Sequence, residues 1–321
     1  MKSHYGNFLS AALALAVMVN VTGDGVLAAN PEGPLARPPE FPPAVENVFF
    51  PDVREQLVGP RPSYERGTQR GGGGLVAQSP AGGAAAESTG YAWSELVDAD
   101  SIEAEIKRQL PPLQPLIATP ATFKGGAYRE CRDRFNTLAG MFAVAADFDE
   151  PVRWQDTAGP LSRIFARASG NCKVGTDQSF RESQQRVSDL AELVRGGRPT
   201  IDAPPAEDDT WERVADRTPL MVRMEQALNE ALTPNLSSSR DLTSHADELQ
   251  HEAKILALLG HILTQPGLPD AGDETYDGYA AQLRDGAVAL STAIEQEDFN
   301  TARTALGTIS QACAACHDEY R

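Results

Sequence analysis

Between residues 131 and 172 the apolar positions fall into two runs with a helical period. Cys131, Phe135, Leu138, Phe142 and Ala145 recur at intervals of 4, 3, 4 and 3. After a break at Asp149-Glu150-Pro151, Trp154, Ala158, Leu161, Phe165, Ala168 and Cys172 recur at 4, 3, 4, 3 and 4. Such stripes are the buried seams of amphipathic helices, and the short break predicts an antiparallel hairpin. Upstream, Ser94–Leu110 fits one amphipathic helix stopped by Pro111-Pro112. Downstream, a third helix over about Asp177–Arg195 presents Phe180, Val187, Leu190 and Val194 and ends at Gly196-Gly197.

The last third holds four more helical runs separated by short breaks. The first follows Thr218-Pro219, an N-cap with proline at the first helical position, and reaches about Leu232. The second covers roughly Ser239–Thr264 and stops at Gln265-Pro266-Gly267. The third starts near Asp273–Thr275 and reaches about Glu295, and the fourth runs from Asp298 to the C-terminus. Four such helices on short loops predict an up-down-up-down bundle. No run alternates with period two, so the expected fold class is all-α: a C-terminal four-helix bundle preceded by a second helical domain and a disordered N-terminal tether.

The N-terminal ninety residues behave differently. Lys2 followed by an apolar run from Phe8 to Val21 and by Val26-Leu27-Ala28 reads as a signal peptide over residues 1–29. The run is too short to span a bilayer, although an uncleaved anchor is the alternative. Residues 30–92 are rich in Pro, Gly and Ala ("PEGPLARPPEFPP", "GGGGLVAQSPAGGAAA"), the composition of a flexible linker. The expected organisation is therefore signal 1–29, linker 30–92, a helical domain at 93–200 and a bundle at 208–321. Export places the protein in the periplasm or another exported compartment, where disulfides persist. Cys131 lies about nineteen residues before the hairpin turn and Cys172 about twenty-two after it, so the two meet at one end. A Cys131–Cys172 disulfide is expected, closing a forty-residue loop worth about 3–4 kcal/mol.

Charge narrows the partners. The chain carries a formal −17, and 20 acidic against 8 basic residues over positions 208–321 contribute −12 of it. That argues against nucleic acid and anionic membrane surfaces and favours a basic partner protein.

The chemistry sits in "ISQACAACHDEYR", which ends the chain. A zinc site would want two further Cys or His at matching spacing, and His245, His251 and His261 form no such motif. A thioredoxin-like pair belongs beside a βαβ unit, and this region is helical. A histidine directly after the second cysteine selects covalent attachment of one haem c. Each sulfur adds to one vinyl group, and the adjacent His317 reaches the iron. The helix pattern agrees: Phe299, Ala302, Leu306, Ile309, Cys313, Cys316 and Tyr320 share one seam.

A four-helix run ending in "CAACHDEYR" resembles the cytochrome c′ / cytochrome c556 family over about residues 209–321, mostly through the final helix. The resemblance implies Cys313 and Cys316 as thioether anchors, His317 as proximal iron ligand and Arg321 as a partner of a haem propionate. That family divides on the opposite ligand. Arg217 followed four residues later by Met221 resembles the first helix of the Met-ligated branch. Met221 is therefore the expected sixth ligand; Met224, His261 or a vacant site are the alternatives. His245 and His251 are expected at the other end, on the surface or its boundary. Gly260, on the seam of the second helix, either makes room for the macrocycle or allows close helix packing.

His/Met ligation suits one-electron transfer with redox partner proteins, with no residue acting as acid, base or nucleophile, hence no enzyme. The competing reading is a five-coordinate cytochrome c′-like protein that binds NO or CO. A third is a protein in which haem mainly stabilises the bundle. A homodimer is compatible with the sequence. The helical domain before the bundle could dock partners, cover the haem edge or support the bundle.

Overall fold

A computed structural model describes residues 92–204, 206 and 210–321. The signal peptide and the linker expected before residue 92 lie outside these residues. All regular structure among the described residues is helical. None of their helices is long and apolar enough to cross a membrane.

After a 3-10 turn at Trp93–Glu95, helix α1 (Ala99–Arg108) starts where Asp98 accepts the Ser101 amide at 2.7 Å. The sequence predicted one helix here ended by Pro111-Pro112. Instead those prolines open a second one, α2 (Leu110–Leu116), because the first turn of a helix has no amide to lose. A single turn, α3 (Pro120–Thr122), and a wide π-turn at Phe123–Ala127 lead into α4 (Tyr128–Ala146).

Helices α4 and α5 (Gln155–Asn171) form the predicted hairpin. Its core is aromatic: Phe142 stacks on Phe165 with centroids 5.6 Å apart and planes 8° apart. Ser162 donates to the Ala139 carbonyl and Ser169 to that of Arg132, both at 2.9 Å. Each step back along α4 is thus matched by a step forward along α5, which sets Cys131 beside Cys172. Both are fully buried and are free thiols, not a disulfide, in this structure. Burial pushes the Cys172 thiol up to about 11, against a hydrogen bond from Ser183.

Helix α6 (Asp177–Val194) opens with a reciprocal Thr176/Ser179 capping box. A short turn, α7 (Trp211–Val214), precedes α8 (Arg217–Gln226). The latter continues through a π-turn at Ala227–Leu232 into α9 (Thr233–Asn235). The second predicted bundle helix is split at His245 into α10 (Ser239–Ser244) and α11 (Ala246–Ile262). Helices α12 (Glu274–Glu295) and α13 (Phe299–Tyr320) begin at Asp273 and Asp298, whose carboxylates accept two backbone amides each.

Within the bundle α11 packs on α12 and α12 on α13, whereas α8 packs chiefly along α4. The described residues form one compact unit, and one apolar core runs from Val97 to Ala312. The two helical segments that the Pro-rich stretch near residue 200 separates in sequence thus share a core. At Gly260 the packing alternative holds. A Cβ there would stand 2.6 Å from Leu283 Cδ2 and 3.2 Å from the Arg284 backbone nitrogen. The glycine lets α11 approach α12, and it does not line the cavity between α8, α12 and α13.

Candidate haem-binding site

Because α8 leans onto α4, a cavity of about 550 Å³ opens between α8 on one side and α12 and α13 on the other. Its volume falls within the range of cofactor sites. Alternation along α8 explains its wall. Arg217, Thr218, Met221, Val222, Met224, Glu225 and Leu228 face the cavity, while Leu220, Arg223 and Ala227 are buried.

The last turns of α13 supply the facing wall: Ala312, Cys313, Cys316, His317, Tyr320 and Arg321 all line the cavity. Spacing of three residues puts both sulfurs on one face of the helix, and His317 follows at the exposed rim. The predicted seam shifts slightly. Ala302, Ala305, Ile309 and Ala312 are the fully buried line, with Leu306, Cys313, Cys316 and Tyr320 half-buried on its flank. That flank is the one bordering the cavity. Burial raises the Cys313 thiol, with Cys316 adding to the effect, and burial raises the Cys316 thiol despite nearby Arg217. Both therefore remain thiols at neutral pH.

The residues that the sequence pointed to are brought together selectively. Met221, Met224, Cys313, Cys316, His317 and Arg321 share the cavity. Met224 is 2% exposed, and Met221 is half-buried. His261 is not among the lining residues. It packs edge-on against Trp93 with centroids 5.1 Å apart, and its Nε2 lies 3.2 Å from the Gln265 amide nitrogen. Burial and the charge of Arg284 both hold its pKa down.

Tyr276, which the sequence did not single out, completes the floor together with Tyr320. Tyr276 is buried and its hydroxyl makes no hydrogen bond of good geometry. Arg217 lies over its ring, 5.9 Å from the centroid, and pairs with Asp270. Tyr320 meets the Tyr276 ring at 5.3 Å and donates to Asp273 Oδ1 at 2.6 Å. That bond to a carboxylate lifts the Tyr320 hydroxyl to about 12. The site thus combines an apolar floor, two thiols and a rim imidazole, two thioethers opposite, and two guanidinium groups at its mouth. This donor set fits an amphipathic iron porphyrin, whose apolar face needs burial and whose carboxylates need cations. The single sequence signal for the tyrosines is Tyr320, which falls on the α13 period.

No curated protein and no solved structure matches the chain. Residues 271–321, which comprise α12, α13 and the Cys-Ala-Ala-Cys-His motif, match the family model described as Cytochrome C'. Over that segment the chain is similar to cytochrome c′, and the match supports a haem-binding protein of cytochrome type.

Proposed function

We propose that this chain is an exported monohaem c-type cytochrome that carries single electrons between partner proteins. The observation that supports this most is the opposition of Cys313, Cys316 and His317 on α13 to Met221 on α8 across one cavity. In this reading Cys313 and Cys316 would hold the haem, each thiol adding across one vinyl group so that sulfur would bond one vinyl carbon and the thiol hydrogen would go to the other. No electron is gained or lost in that addition. Bound haem supplies a one-electron iron couple.

The chain's own residues hold and tune it. His317 and Met221 are the side chains that would hold the iron, a donor pair that would favour its ferrous state. Arg321 would neutralise propionate charge at the mouth, beside Arg217, whose guanidinium pairs with Asp270. No side chain is asked to act as acid, base or nucleophile, so the protein is a carrier and not an enzyme. Glu225, His317 and Arg321 are exposed at the rim, giving a partner access to the haem edge. The acidic last third favours a partner with a basic docking face.

Export would also let Cys131 and Cys172 lose two electrons to a thiol–disulfide oxidant and join. Mass spectrometry of alkylated, unreduced protein tests this: a linked peptide pair is expected, and two alkylated thiols would refute it.

The ferrous optical spectrum with and without carbon monoxide tests the main reading. Electron transfer with Met ligation expects a low-spin spectrum that carbon monoxide leaves unchanged. A high-spin spectrum shifted fully by carbon monoxide would overturn it in favour of gas binding.

A further inference from the structure

Helix α8 has two working faces, and the second is held by residues outside the bundle. At its start, Asp216 caps the helix by accepting the Thr218 amide at 3.2 Å. The same Asp216 pairs with Arg132 of α4, and its own amide donates to Asn136 Oδ1 of α4 at 3.3 Å. Two turns on, Arg223 points away from the cavity into a buried cluster. Its Nε and second terminal nitrogen donate to both carboxylate oxygens of Glu105 in α1, at 2.8 and 3.0 Å. Its other terminal nitrogen lies 2.7 Å from Glu252 Oε2 of α11.

Glu105 is wholly buried and fully engaged. Gln109 Nε2 donates to it at 2.8 Å, and His251 Nε2 lies 2.9 Å from Oε2. Arg108 reaches Glu252 at 3.2 Å, and Lys254 ties Asp98, the cap of α1, to α11 at 2.7 Å. The ligand atoms of Glu105, His251 and Glu252 lie close enough together to hold a metal ion. The guanidinium of Arg223, however, already bridges the two carboxylates. The cluster is a joint between helices.

We infer that α1 and α4 clamp α8 from behind through Glu105–Arg223 and Arg132–Asp216, making Glu105 and Arg132 positioning residues for the distal wall of the haem cavity. Because α8 packs chiefly along α4 and only slightly on α12 or α13, its distance from them is set from behind. The bidentate fork sets its rotation, and the anchored cap sets its height. The clamp acts on whatever faces α8 across the cavity, whether or not Met221 binds iron. The inference rests on the haem reading only for one of its two readouts.

The test compares Glu105→Gln and Arg132→Gln with Leu161→Ala, which loosens the α4–α5 core without touching α8. The first readout is hydrogen exchange of the 217–226 amides, in haem-loaded and haem-free protein. The second is the rate at which the ferric protein binds cyanide, which enters an open site directly and a Met-ligated one by slow displacement of the thioether. Both clamp variants should speed α8 exchange selectively over α13. They should speed cyanide binding by roughly 2- to 30-fold, the range of coupling through packed contacts. Equal exchange and equal rates in Glu105→Gln and Leu161→Ala, at matched loss of melting temperature, would overturn the clamp. If Glu105→Gln fails to fold, Arg132→Gln decides between the same two outcomes, because Asp216 keeps its capping bond. A protein that takes up no haem defeats the haem reading alone, since exchange still reports on the clamp.

Discussion

Arg223 in α8 and Glu105 in α1 meet as a two-bond fork, 118 residues apart in sequence and buried on both sides. Burial alone would raise the Glu105 carboxyl. The charge of Arg223 and the hydrogen bonds from His251 and Arg223 outweigh it and hold the group well below the usual carboxylate range.

Removing one partner of such a pair leaves an unpaired buried charge. Glu105→Ala should cost about 3–5 kcal/mol in urea unfolding at neutral pH. The pH dependence has a definite sign. A carboxyl with a depressed folded pKa stabilises the protein above its unfolded pKa, about 4.5 here, and loses that contribution as pH falls below it. The stability gap between wild type and Glu105→Gln should therefore narrow from pH 6 to pH 3. A gap constant over that range would remove the charge from the account.

Met221 and Met224 lie one turn apart on the same wall, and substitution separates their roles. Met221→Ala should convert the ferrous protein to a high-spin form that binds carbon monoxide. Met224→Ala should leave the spectrum in place and cost about 2–5 kcal/mol of stability, as a buried side chain does. The reverse pattern would move the ligand to Met224.

Cys313 and Cys316 each predict a separable loss. Either single change to serine should leave haem attached through one sulfur, resistant to acid–organic extraction, with a shifted pyridine haemochrome band. The double change should release all haem on extraction. Retention by the double variant would rule out thioether attachment.

Gly260 sets the distance between α11 and α12. Gly260→Ala forces a methyl to within 2.6 Å of Leu283 Cδ2 and 3.2 Å of the Arg284 backbone nitrogen. A cost of about 1–3 kcal/mol in thermal unfolding is expected, because only one of the two neighbours can move. Leu283 also lines the cavity, so a small change in haem spectrum should accompany it. A variant as stable as wild type would show that the helices tolerate a wider spacing.

The hairpin of α4 and α5 and the motif on α13 were readable because helical period and cysteine spacing are local signals. Their partners across space follow from the same period, as Cys131 beside Cys172 shows. The Glu105 cluster was not readable. A glutamate within a helix reads as a solvated position, and nothing local ties it to an arginine beyond a linker. His251 was expected at the surface or its boundary. It is instead 6% exposed, because α1 covers the face of α11 on which it sits. The π-turn at Ala227–Leu232 also left no trace, since its residues are ordinary helix formers. The lean of α8 towards α4, which opens the cavity, is a property of tertiary packing that no single helix records.

The two faces of α8 also bear on how such a chain can change over time. Nine of the thirteen positions from Asp216 to Leu228 answer either to the cavity or to the joint behind it, so little of this helix is free to drift. On α13, by contrast, Thr301, Arg303, Thr304 and Ser310 point outward and make no contact with the cavity. Substitutions should accumulate there first, leaving the segment with the recognisable motif more variable around it than the plain-looking helix opposite.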